Sequence, residues 1–277
     1  MIAPPRSLPA LLALLVAAPV WAEEEDKRPA AAMQDNSFLI EEAYNQEDGV
    51  IQHIQTFQWD RSSRTWVYSF TQEWPTPRQN HQLSFTIPVL KGAPSGSGLG
   101  DVLLNYRYQA VLTERFAFAP RISFVLPTGA WRDAYGKGGA GIQVGLPVSA
   151  DVSERVTVHA NAGATWTPRA VGSVGVRRAT LDTSAGGSAV LHVSSTFDTF
   201  VELVGARIES VRPDGSIETA RAVFLNPGVR IAFNRPSGLQ IVPGIAYTIG
   251  LGPSSGARAI FAYLSFEHPL GWLKKHL

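Results

Sequence analysis

From about residue 50 onward the chain alternates apolar and polar side chains with a period of two. In "TWVYSFTQEW", residues 65–74, Trp66, Tyr68, Phe70 and Trp74 fall on one face of an extended chain, and Thr65, Val67, Ser69, Thr71 and Glu73 on the other. The same beat returns at Leu83, Phe85, Ile87 and Val89, and at Val102, Leu104, Tyr106 and Tyr108. It continues through Ile122 and Phe124, through Ile142 to Val148, through Val156 to Trp166, and late in the chain through Val229, Ile231, Ile245 and Tyr247. Alternation over so many segments predicts strands whose two faces meet different media.

Twelve strands are expected, at 50–59, 65–74, 81–90, 100–112, 116–127, 140–149, 155–167, 182–194, 198–210, 218–233, 239–250 and 258–267. "PTPRQN", "TER", "ADVSE", "SST" and "NRPSG" are short polar connections. "KGAPSGSG", "TGAWRDAYGKGG", "PRAVGSVGVRRATL", "VRPDGSI" and "LGPSSGA" are mostly longer and glycine-rich, and they alternate with the short ones. "DRSSR" belongs with the long set by position and is short. Short turns at one end, long loops at the other and an even strand count predict an all-β fold: a transmembrane antiparallel up-and-down β-barrel of about 12 strands. Pro120, Pro147, Pro227 and Pro243 fall inside these runs, where a residue without an N–H weakens a ladder; they point to shifted boundaries or to bulges near the rims.

A soluble barrel or sandwich would bury the apolar face instead. Two features favour a bilayer. The runs match the ~9–11 residues of a tilted membrane-spanning strand. Aromatic residues also gather near strand ends (Trp66, Trp74, Phe116, Trp166 and Phe233), as in interfacial girdles. Trp66, Tyr68, Phe70, Trp74, Leu104, Tyr106, Phe124 and Trp166 are therefore expected to face lipid. Glu73, Asp101, Asn105, Arg107, Arg121, His159, Asn161, Glu202 and Arg230 are expected to face the lumen. Charges of both signs there either set ion selectivity or pair with one another in a packed interior. Twelve strands lie between barrels of about eight, filled by their own side chains, and barrels of about 16–18 that hold a channel.

Composition narrows the setting. The chain has 277 residues, 45% hydrophobic and 17% charged, with 24 Lys and Arg against 23 Asp and Glu. Such a balance gives no field for nucleic acid. Without cysteine, a disulfide framework, a thiolate metal site and a cysteine nucleophile are excluded. "LPALLALLVAAPV" at 8–20, after Arg6 and before "VWA" and "EEED", predicts a signal peptide cleaved after Ala22. The run is shorter than the ~20 residues of a spanning helix. The expected organisation is a signal peptide at 1–22, a flexible segment at 23–49 that either plugs the lumen or hangs free, a barrel at 50–268 and a tail at 269–277. Within the second segment "SFLIEEAYNQ" suggests a short helix.

"FLIEEAYNQEDGVIQ", "GLGDVLLNYRYQ", "PRISFVLPTG", "NPGVRIAF" with "GLQIVPGIAYTIG", and "FEHP" together resemble an outer-membrane β-barrel family labelled "meta-pathway of phenol degradation", whose members are often described as transporters. The resemblance covers about residues 38–269. It implies a barrel in the outer membrane of a Gram-negative bacterium, with a transport role. Many such barrels end on an aromatic residue of the last strand, whereas this chain runs past Phe266 to "GWLKKHL".

Signals for other chemistry are weak. "GPSSG" at 252–256 matches a nucleophile elbow but lies between two strands. "GKGGAG" at 136–141 precedes a strand, where a phosphate site needs a helix. The six histidines lack metal-ligand spacing, and "HVSS" at His192 has no orienting acid in view. Neither an enzyme nor a metal or cofactor is expected. The partners expected are outer-membrane lipid, the assembly machinery and a small solute. The function expected is a channel or transporter for small solutes, hydrophobic or aromatic ones included. The alternative is a closed structural or adhesive barrel, followed by a barrel lipid hydrolase or a soluble ligand-binding β-barrel.

Overall fold

The computed structural model describes residues 33, 37–92 and 96–269. The expected signal peptide and the tail from residue 270 lie outside them. Twelve strands form the wall: β1 (Val50–Asp60), β2 (Thr65–Pro75), β3 (His81–Gly92), β4 (Val102–Tyr108), β5 (Arg121–Leu126), β6 (Gly141–Ser153), β7 (Val156–Val171), β8 (Arg177–Ser194), β9 (Phe197–Val211), β10 (Ile217–Ile231), β11 (Gln240–Gly250) and β12 (Arg258–Pro269). Each pairs antiparallel with its sequence neighbours. The ring closes between β1 and β12, from Val50↔Pro269 to Asp60↔Ala259. Four pieces of two to four residues, Gly96–Leu99, Val111–Leu112, Phe116–Phe118 and Phe233–Asn234, extend the same sheet. We call the end where β1 begins and β12 finishes the inner end, and the opposite end the outer one.

The alternation read from sequence is the alternation of the wall. In β2, Thr65, Val67, Ser69, Thr71 and Glu73 are buried inside, while Trp66, Tyr68, Phe70 and Trp74 point outward. Leu104 is 46% exposed and Phe124, its cross-strand partner, 56%. Tyr106, Trp166, Val201, Leu203 and Ile245 are exposed on the same outer surface. An apolar belt this continuous exceeds the patches that soluble monomers leave open to water. Placing a charge on it tests that reading. Leu104→Arg is expected to cost about 2–4 kcal/mol if Leu104 lies near mid-bilayer, measured as a lower urea midpoint in lipid vesicles; an unchanged midpoint would remove Leu104 from the bilayer core.

Several boundaries differ from expectation. The strand expected at 100–112 stops at Tyr108, and the one expected at 116–127 is divided at Ala119–Pro120. Pro120 lacks an N–H, and its carbonyl accepts instead from Tyr108 N. "PRAVGSVGVRRATL" is not a long loop: β7 runs to Val171 and β8 starts at Arg177. "VRPDGSI" likewise shrinks to a tight turn between β9 and β10. Pro147, Pro227 and Pro243 are strand residues and not rim bulges. The β10–β11 ladder has Leu225↔Ile249, resumes at Gly228↔Ala246, stops after Arg230↔Gly244, and resumes at Phe233↔Ile241. Pro227 and Pro243 each fall in one of these gaps, so this seam carries fewer pairs than the seams beside it.

Candidate functional site: the closed lumen

The residues before β1 occupy the inside of the barrel. Ser37 through Gln46 are all buried, and none is helical. The short helix expected from "SFLIEEAYNQ" is therefore corrected. A helix would keep its N–H groups for itself, whereas here they go to the wall. Leu39 N and Ile40 N both donate to Glu202 Oε1, at 2.7 and 2.9 Å. Glu41 N donates to Asn161 Oδ1, Ala43 N to Ser149 Oγ, Asn45 N to Gln109 Oε1 and Gln46 N to Gln82 Oε1. Ser37 Oγ donates to Ser188 Oγ. Donors and acceptors from β3 to β9 thus replace the hydrogen bonds that secondary structure would supply.

Arginines hold the other side of the segment. Arg107 Nε donates to Asn45 Oδ1 and Nη1 to Glu42 O, both at 3.0 Å, and Nη2 donates to Tyr44 O. Arg121 pairs with the Glu41 carboxylate at 2.7 Å and donates to Asn105 Oδ1 and Ser123 Oγ. Arg230 lies 2.9 Å from Asp198 and 3.6 Å from Glu42, and it donates to Met33 O. His159 lies between Ser149 and Glu42, at 2.8 and 3.4 Å. Glu202 has a different environment. Its second oxygen accepts from Asn226 Nδ2, which sits in a chain with Thr248, so this fully buried carboxylate is held by N–H donors.

An aromatic seat anchors the tip. Phe38 stacks on Phe261 and Tyr263, with ring centroids 5.3 and 4.8 Å away, and meets Phe200 edge-on at 4.6 Å. Its φ of 123° is a conformation that a bulky residue keeps only when its surroundings hold it there. The wall makes room with glycine. A Cβ at Gly244 would sit 2.4 Å from Phe38 Cζ, and one at Gly186 2.8 Å from Ile40 Cδ1.

Toward the outer end the lumen changes character. A recess has Leu39 and Ile40 on one side and Gln143, Asn161, Ser184 and Val204 among its walls, with Glu41, Arg121 and Asp182 also lining it. Over the outer mouth the loop between β5 and β6 turns inward: Tyr135 is buried against Val67 and Leu90. Lys137 Nζ lies 3.0 Å from Asp182 and donates to Glu209 O. Asp101 is not a wall position. It precedes β4 and accepts from Gly129 N and Lys137 N, tying that loop down. Burial raises the pKa of its carboxyl, against the pull of those two N–H groups and of Lys137.

The other expected lumen residues all lie on the inward face. Glu73 receives Gln82 Nε2, and Asn105, Arg107, Arg121, His159, Asn161, Glu202 and Arg230 surround Met33 and residues 37–46 as described. Arg107, expected as a pore charge, is 1% exposed and bonded to the segment. Gln82, Gln109, Ser149, Ser188, Gly186 and Gly244 were not singled out from sequence. All but Gln109, which follows β4, are ordinary strand residues at inward positions, and periodicity is the only signal they carry. His192 does have an acid: it lies 2.8 Å from Asp198 and 2.9 Å from Thr157 Oγ1 inside the barrel. Ser194, from the same "HVSS" run, accepts from Thr196 N. In "GPSSG", Gly252–Ser254 form one 3₁₀ turn between β11 and β12.

No family model matches the chain. No curated protein matches it either. Among solved structures it is similar to an outer membrane channel from Pseudomonas putida F1, with 16% identity, TM-score 0.60, and 82% of this chain and 97% of that one covered. It is also similar to the NanC porin, with 11% identity, TM-score 0.53, and 79% and 100% covered. The KdgM porin aligns with 8% identity, TM-score 0.50, and 78% and 98% covered. At these identities the likeness is one of fold.

Proposed function

We propose that the chain is an outer-membrane channel for small solutes, hydrophobic or aromatic ones included, held shut at rest by residues 37–46. The observation that carries this is what fills the barrel. A narrow barrel is filled by the side chains of its own wall. Here the wall leaves a lumen wide enough for a peptide segment, which runs on into β1. A lumen that accommodates a chain accommodates a small solute once the chain moves. The outward apolar belt supports a bilayer setting, and the porin and channel folds of similar structures accord with it. The recess is lined mostly by aliphatic, hydroxyl and amide side chains; of its charged residues, Glu41 and Arg121 neutralise each other and Asp182 pairs with Lys137, which favours solutes of low charge. On this reading the chain reaches the outer membrane behind a cleaved signal peptide and depends on the barrel-assembly machinery. The short connections then lie in the periplasm.

The test compares the mature chain with a version lacking residues 23–46, each refolded and placed in a planar bilayer. The full chain is expected to be silent or to open rarely, and the shortened chain to conduct in discrete steps. Vesicles carrying the shortened chain should pass small neutral aromatic solutes faster than anions of the same size. A shortened chain that is folded and silent would sink the channel reading and favour the closed structural or adhesive barrel.

A further inference from the structure

We propose that the outward face of β8, β9 and β10 near the outer end binds the phosphate groups of a phosphorylated outer-leaflet glycolipid of the lipid A type. The site rests on the membrane reading above. Arg207 and Arg221 are direct cross-strand partners. Like charges in that arrangement repel unless something neutralises them. Arg207 is partly satisfied, donating to Glu209 Oε1 at 2.5 Å and to Leu181 O at 3.2 Å. Glu209 is itself shared, since its other oxygen accepts from Leu181 N. Arg221 is exposed and makes no ion pair or side-chain hydrogen bond among the described residues. Arg177, exposed at the start of β8, is six residues up the strand from Thr183, the residue opposite Arg207, and lies outside this pair. Two adjacent guanidinium groups, those of Arg207 and Arg221, therefore look outward over one carboxylate, that of Glu209. A guanidinium grips a phosphate through two parallel N–H···O bonds, which a neutral headgroup does not offer.

The surface beneath the arginines says why the phosphate belongs to a lipid. The adjoining outward row, toward the barrel's middle, is Ala162–Ala185–Gly205–Val223, each residue paired with the next across the strands. The row after that is Ala160–Gly187–Leu203–Leu225. This strip carries few bulky side chains, so acyl chains can lie flat on it with their headgroup at Arg207 and Arg221. A free phosphate would gain nothing from such a strip. The acyl contacts and the charge contacts belong to one amphiphile.

Native mass spectrometry of the mature chain in nanodiscs tests this, with an equimolar mixture of diphosphorylated lipid A and its dephosphorylated form. The wild-type chain is expected to retain the phosphorylated lipid. Each arginine near an anionic surface is worth ~1 kcal/mol, so Arg221→Gln should weaken retention about fivefold and Arg221→Glu about thirtyfold. Arg207→Gln, which leaves Arg221 in place, guards against a folding defect in either variant. Arg235→Gln, in the turn at the opposite end, should leave retention unchanged. Equal retention of the two lipids by the wild type would overturn the site, and so would wild-type retention by Arg221→Glu. A chain that fails to enter nanodiscs at all would overturn the membrane reading and the site with it, an outcome distinct from insertion without lipid selectivity.

Discussion

Replacing Arg107 by glutamate is expected to open the barrel. Arg107 is fully buried, and it makes hydrogen bonds to Asn45 Oδ1, Glu42 O and Tyr44 O, all on the lumen segment. A carboxylate at this position has no donor to offer and would face the same oxygens. Hydrogen bonds to a charged group are worth ~1.5–3 kcal/mol each. Losing three costs the docked state on the order of 4 kcal/mol or more, which moves the docked fraction by roughly a thousandfold at 1.4 kcal/mol per factor of ten. The wall should survive, because these bonds do not join one strand to another. Single-channel recording should show sustained steps where the parent is silent. The chain has no cysteine, so an Ala43→Cys reporter gives a second readout. Ala43 is wholly buried against the wall and should react with a maleimide only when the segment has left. Silence and an unreactive Cys at position 43 in Arg107→Glu would show that these bonds do not hold the segment.

Gly244→Val should release the same segment by a steric route. Its Cβ would stand 2.4 Å from Phe38 Cζ, 2.9 Å from Val229 O and 3.1 Å from Arg230 Cβ. Backbone and Arg230 cannot yield easily, so Phe38 has to leave. Withdrawal gives up a buried phenylalanine, worth ~1.5–3 kcal/mol, and three aromatic contacts at ~0.5–1.5 kcal/mol each. The crowding that remains against Val229 O destabilises the wall by a further ~1–3 kcal/mol. Adding Phe38→Ala separates the two effects. The double variant should unfold at nearly the urea midpoint of Gly244→Val and be as leaky. If Phe38→Ala instead restores the parent's midpoint, the clash with Phe38 is the whole cost and the wall is not strained.

The strands were legible because each wall residue faces one of two unlike media, and a period of two survives wherever that contrast holds. It fails across 168–181, where Arg177 and Arg178 put charged side chains on both faces, so a stretch whose backbone mostly pairs as strand reads as a loop. The prolines misled for a related reason. Pro227 and Pro243 are tolerated inside strands because the seam they share already lacks those ladder pairs, which only the register reveals. The inward positions of Glu73, Arg107, Arg121 and Glu202 follow from parity; what they hold does not. Ser37–Gln46 has no period of its own, and its conformation is dictated by side chains such as Gln109, Ser149 and Glu202 that lie far away in sequence. No local pattern encodes an arrangement of that kind.

The docking of residues 37–46 also fixes when it can occur. Their partners include Gln82 and Arg107 near the beginning of the barrel and Glu267 in its last strand, so sequence separations reach 221 residues. Contacts so distant form late, since the loops they close are the costliest. A segment that precedes the barrel is thus the last to settle, and it settles only into a ring that β12 has completed. Leakage of a newly made barrel would then report on its construction: a molecule with one strand out of register has no seat to offer, and it stays open.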